Sequence, residues 1–176
     1  MRIIGIDPGS RATGYGIIDG DDETLMAEGV VRLDGDDDHP DRLKQIYDCL
    51  TALIREHEPD AFSIEMPVYG KNPQSMLKLG RAQAAAMMAG LNAGLPVSQY
   101  TPKEIKKSVT GNGNASKDQV RFMIKSILGL DEAPTHDAAD ALATALCHSN
   151  RDAHGEGESY TGWSSFVDAN PDRVSE

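Results

Sequence analysis

Four acidic residues of this 176-residue chain stand where acids suit metal chemistry. Asp7 ends the apolar run RIIGID (2–7), and Glu65 closes the apolar part of DAFSIEM (60–66). A lone carboxylate at the end of a buried strand is unfavourable unless a positive charge lies beside it. Asp137 and Asp140, in THDAADALATAL, are three residues apart and so share one face of a helix. Parallel neighbouring strands present their carboxyl ends at one edge of a sheet, where α/β sites form. If the strands of Asp7 and Glu65 are such neighbours, a helix carrying Asp137 and Asp140 completes a ring of four acids. Acids that close repel one another strongly unless a cation sits among them. Carboxylate oxygens without Cys or His pairs suit Mg²⁺ or Mn²⁺. Two such ions about 3.5–4 Å apart hold an attacking water and a leaving oxygen in line for phosphodiester cleavage. Taken singly, each acid has a plainer reading: Asp-Pro-Gly forms turns, and an acid in a first helical turn complements the helix dipole. The conjunction is what points to a metal site. His136, beside Asp137, is either a solvated helix-start residue or a ligand or proton carrier.

The elements that must position these residues are readable from periodicity. RIIGID, TGYGIID (13–19) and LMAEGVVRL (25–33) read as strands, the last two joined by a polar turn as a hairpin. Leu43, Ile46, Tyr47, Leu50, Leu53 and Ile54 recur at helical spacing. DAFSIEM and LPVSQY (95–100) are further strands, and 74–93 is a long Ala/Met/Leu helix whose Gly80 and Gly90 permit close packing, including against another copy. TPKEIKKSV is a short helix with Pro in its first turn. Ser116 and Gln119 open the next helix as a capping box, and Thr135 caps the helix of Asp137. Antiparallel strands followed by alternating helices and strands predict an α/β fold, a mixed five-stranded sheet with helices on both faces. The domain is expected over 1–150. Residues 151–176, polar and acidic, are expected to be a disordered tail in which Trp163 and Phe166 could dock.

Net charge is −11, which taken alone argues against a nucleic-acid partner. Its distribution argues otherwise. Residues 71–125 hold nine Lys/Arg against two acids, +7, so the remainder carries −18. Ten acids fall within 19–41. Cys49 and Cys147 read as buried reduced thiols, and with no signal-peptide pattern or stretch of about 20 apolar residues the chain is expected in the cytoplasm, away from membranes.

GIDPGSRATGYG, the strand-end Ile-Glu, KNPQSMLKLGRAQ, KKSVTGNG and HDAADALATAL together resemble the RuvC-type crossover junction endodeoxyribonucleases, from about residue 2 to 148. The resemblance implies an RNase H-like fold. It implies a homodimer that nicks two strands of a four-way DNA junction symmetrically, leaving 5′-phosphate and 3′-hydroxyl ends. It places the catalytic, metal-holding acids on Asp7, Glu65, Asp137 and Asp140, and gives His136 slight further support. DNA-binding lysines fall at Lys106 or Lys107 and at Lys117. Tyr69 is the candidate for an aromatic at the junction centre, and Lys71, Asn72, Lys78 and Arg81 continue the DNA-facing surface. RuvA and RuvB, the branch-migration proteins, are implied as partners.

The acidity departs from the basic protein that the resemblance implies. Asp outnumbers Glu 18 to 10 and Lys numbers 8, a pattern suited to a salt-rich cytoplasm. Other readings are a RuvX-type nuclease acting on ribosomal RNA, a junction-binding module that does not cleave, and an actin-like sugar kinase, for which the chain is too short.

Overall fold

A computed structural model describes residues 1–34, 37–67 and 72–153. Five strands, β1 (Arg2–Asp7), β2 (Ala12–Asp19), β3 (Thr24–Arg32), β4 (Ala61–Glu65) and β5 (Val97–Tyr100), form one sheet in the order β3-β2-β1-β4-β5. The β1–β2 and β2–β3 pairs are antiparallel, whereas β1–β4 and β4–β5 are parallel. The sheet is therefore mixed, as expected.

The helices are α1 (His39–His57), α2 (Pro73–Asn92), α3 (Pro102–Thr110), α4 (Lys117–Ile127) and α5 (His136–Ala153). Side chains alternate across each strand, and the two sets build two cores. Ile4, Ile6, Ile17, Phe62 and Ile64 face α1 and α2, packing on Ile46, Leu50, Ala82 and Ala86. Ile3, Ile18 and Ala61 face α5, α3 and α4, packing on Leu142, Leu146, Ile105 and Ile124.

Local chemistry explains the helix ends. Ser116 and Gln119 form the expected capping box, and Thr101 with Glu104 forms a second. The Thr135 hydroxyl accepts from the Ala138 amide at 3.4 Å. Three expectations need correction. Cys147 is buried but Cys49 is exposed, because position 49 lies off the Ile46–Leu50–Ile54 stripe that α1 turns to the sheet. Gly90 serves its own sheet rather than a second copy, since a Cβ there would lie 2.9 Å from the Phe62 ring. And α5 runs past residue 150 to Ala153, where the Arg151 guanidinium meets Glu104 at 3.4 Å and lies 5.4 Å from the Tyr100 ring centre. Residues 154–176, most of the expected tail, lie outside the described residues.

Candidate active site

The period of two puts Ile3, Gly5 and Asp7 on one face of β1, and Ala61, Ser63 and Glu65 on the same face of β4. That face carries α5. The β1–β4 register pairs Ile6 with Ile64, so the two acids that follow end adjacent parallel strands side by side. Ser63 donates to the carbonyls of Ile4 at 3.2 Å and Thr144 at 3.3 Å, tying β4 to α5 just below Glu65.

Glycines let α5 come close enough to deliver its acids. Gly14 is the cross-strand partner of Asp7, and a Cβ there would stand 2.6 Å from the Asp137 carbonyl carbon. A Cβ on Gly5 would stand 2.6 Å from the Ala145 amide nitrogen, and one on Gly16 2.6 Å from the Leu142 side chain. The helix backbone thus lies directly on β1 and β2. Sequence reasoning passed over these glycines, although glycine within a strand is itself a sign of close backbone approach.

The electrostatics are those of crowded acids. Burial, and then the neighbouring Asp140 and Asp137, push the Asp7 carboxyl up to about 6, against the opposing pull of Lys117. Burial, then Asp7 and Asp140, push Glu65 up to about 8, opposed by Lys117 and Lys106. Lys117, the first residue of α4, donates to Asp140 at 2.7 Å, and that bond holds its ammonium above the ordinary lysine value. Between the two lysine candidates on α3, the one that faces the acids is Lys106, half-buried, while Lys107 is exposed.

The other candidates are placed less centrally. His136 is exposed at the start of α5. Asn72 caps α2, its side chain accepting from the Gln74 and Ser75 amides. Lys78 and Arg81 are exposed on α2, on the opposite side of the sheet from α5, close enough to hold the His39 imidazole below its usual value after burial has lowered it. Tyr69 and Lys71 lie outside the described residues.

The chemistry of this donor set fits a divalent cation. It is all carboxylate oxygen, and burial first, then the neighbouring acids, raise Asp7 and Glu65 against the pull of Lys117. Among the described residues no three His, Cys, Asp or Glu side chains already converge on one point, in keeping with that repulsion and with the hold of Lys117 on Asp140.

Comparison with known proteins places the chain. The model of the family described as crossover junction endodeoxyribonuclease RuvC matches residues 3–148. The RuvC of Salinibacter ruber is 72% identical over 179 residues, covering 100% of both chains. This chain belongs to the RuvC family. The RuvC of Porphyromonas gingivalis is 47% identical over 98% of this chain and 96% of its own. The solved structure of Thermus thermophilus RuvC in complex with a Holliday junction substrate superposes with a TM-score of 0.81 at 30% identity, covering 88% of this chain and 96% of that one. The fold is therefore the RNase H-like fold of RuvC, and Asp7, Glu65, Asp137 and Asp140 lie within the matched residues.

Proposed function

We infer that this RuvC-family chain is a Holliday junction resolvase, an endonuclease that nicks four-way DNA junctions symmetrically and leaves 5′-phosphate and 3′-hydroxyl ends. The observation that carries the reading is the pairing of Asp7 and Glu65 at adjacent strand ends on the face that receives Asp137 and Asp140. RuvC nucleases are metal-dependent, and Asp7, Glu65, Asp137 and Asp140 are the residues that would hold the metal. Mg²⁺, with Mn²⁺ able to substitute and two ions per site, would supply an activated water and neutralise charge on the leaving oxygen.

The chain's own residues do the rest. Asp7 and Glu65 sit on strands fixed by the sheet, so they define one rigid side of the site. Asp137 and Asp140 define the other, held by α5 on its glycine bed. Lys117 and Lys106 put positive charge at the mouth, where a scissile phosphate would lie. Lys107, Lys71, Asn72, Lys78 and Arg81 would track the backbone further out, with Tyr69 at the junction centre. His136, exposed beside Asp137, is available as a proton carrier.

Symmetric nicking calls for two copies. Leu77, Ala84, Met88 and Leu91 are all exposed on α2 and spaced by seven, four and three, the pattern of a helix-pairing seam. Gly80 beside them has open space where a Cβ would stand. This face supports a homodimer through α2. Family relationship supports RuvA and RuvB as partners. Free Cys49 and Cys147, with no described helix long and apolar enough to cross a membrane, support a cytoplasmic setting.

A four-way junction labelled on each strand in turn tests the activity. Paired nicks in Mg²⁺ that vanish in Asp7→Asn are expected. Tight junction binding without nicking in either metal would instead favour a binding module.

A further inference from the structure

Phe122 is 69% exposed, more than any other large apolar side chain among the described residues. It lines a cavity of about 430 Å³ between the end of α3 and α4, with Thr110, Asn112, Ala115, Asp118, Gln119 and Met123. That volume is within the range of small-ligand sites, roughly 300–1,000 Å³. Beside it α3 and α4 carry Lys103, Lys107 and Lys125, with Lys106 and Lys117 turned towards the acids of the candidate site and Arg121 donating to the carbonyls of Pro134 and Ala133. The groove asks for an occupant that is aromatic within and acidic around.

We propose that the occupant is this chain's own C-terminal segment, with Trp163 and Phe166 seated against Phe122. Three observations select it. Residues 154–176 carry Glu156, Glu158, Asp168, Asp172 and Glu176 against Arg173, a charge opposite to that of the α3–α4 surface. They also hold Tyr160, Trp163 and Phe166, where the whole chain has 9 aromatics (Trp 1, Tyr 5, Phe 3). And the departure point is right. At the end of α5, Arg151 meets Glu104 at 3.4 Å and Asn150 donates to Ser108 at 3.1 Å, so the chain leaves alongside α3. From there to the groove is about one length of α3, roughly 13 Å for nine residues at 1.5 Å each. Trp163 lies ten residues beyond Ala153, a reach of up to about 35 Å.

An indole against the Phe122 ring gains an aromatic contact in offset or edge geometry. Seated there, the segment lays its acids over cations that would otherwise meet DNA phosphates, so it competes with DNA for α3 and α4. Because the two share a chain, the segment is present at the high effective concentration of a short tether.

Trp163 is the only tryptophan and reports on itself. The test is its emission and acrylamide quenching in the full-length protein without DNA. Blue-shifted, quencher-protected emission that is independent of protein concentration is expected. Phe122→Ser should shift it to the red and remove the protection, while Met26→Ser, an exposed apolar residue on β3, leaves it unchanged. Circular dichroism checks that each variant is folded. Adding junction DNA to the wild type should displace the indole and give the same red shift. Emission already like that of a solvated indole overturns the proposal. So does protection that survives Phe122→Ser, which means another seat, or protection that appears only at high protein concentration, which means a second copy supplies or receives the segment.

Discussion

Glu65 keeps its proton to about pH 8 and Asp7 to about pH 6, both above ordinary carboxylates. The folded chain therefore retains protons that the unfolded chain releases, and stability falls as pH rises through that interval. Below the ordinary values of 4.5 and 3.8 both residues are neutral in either state and contribute no such penalty. In chelator, the melting temperature should decline between about pH 4.5 and about pH 8, and added Mg²⁺ should recover it most at the upper end. Calorimetry across that range checks the sign; a melting temperature that climbs towards pH 8 would sink it. Glu65→Gln removes the buried titration while keeping the shape. It should abolish junction nicking and yet raise the melting temperature at pH 8 in chelator by a few degrees, since about 1 kcal/mol corresponds to roughly 2–4 °C at this size. The site is thus a place where function is held against stability.

At the scale of elements, α5 decides the geometry. Its backbone rests on Gly14, where a single methyl would stand 2.6 Å from the Asp137 carbonyl carbon. Gly14→Ala should lift the start of α5 off the sheet, destabilise by about 1–3 kcal/mol as overpacking does, and cut nicking well beyond what the lost stability explains. Comparing nicking with melting at a temperature where the variant is still folded separates the two effects. Much of this architecture was legible beforehand. The apolar run of RIIGID and the helical stripe Ile46–Leu50–Ile54 are local patterns that survive folding, and Ser116 with Gln119 carries a local hydrogen-bond pattern. What was not legible is long-range. The pairing of Ile6 with Ile64 joins segments 58 residues apart and is set by the packed sheet rather than by either segment alone. The bond from Lys117 to Asp140 links two helix starts across 23 residues. Cys49 was misread because apolar neighbours in sequence are not neighbours on a helical face.

For the whole molecule, charge placement matters more than charge total. Asp19 pairs with Arg2 in register, and Asp19 and Asp21 meet the amino terminus, so the acidic turn lies at the far end of β1 from Asp7. Five strand steps separate Arg2 from Asp7, about 17 Å at 3.4 Å each. That is about two Debye lengths at physiological salt, where one is roughly 8 Å, and the length is near 3 Å at 1 M. The acids of this turn should therefore scarcely oppose DNA, and nicking should persist in about 1 M KCl, where the Debye length is near 3 Å; a steep loss above moderate salt would remove the case for salt adaptation. The α2 seam makes a second prediction at this scale. Met88→Glu or Leu91→Glu, at positions 46% and 51% exposed, should yield a folded monomer by light scattering. The monomer should lose paired nicking while each site keeps its acids.

The order of the elements has a consequence for the protein's making. Asp7 and Glu65 belong to the first half of the chain, but Asp137 and Asp140 ride on α5, the last of the described elements. Chains emerge from the ribosome amino end first. A nascent chain therefore carries two of the four candidate acids, on a sheet whose last strand ends at Tyr100, until α5 has been synthesised and has docked on Gly5, Gly14 and Gly16. On the proposed function, a truncated translation product that stops short of α5 lacks Asp137 and Asp140 and should not nick DNA.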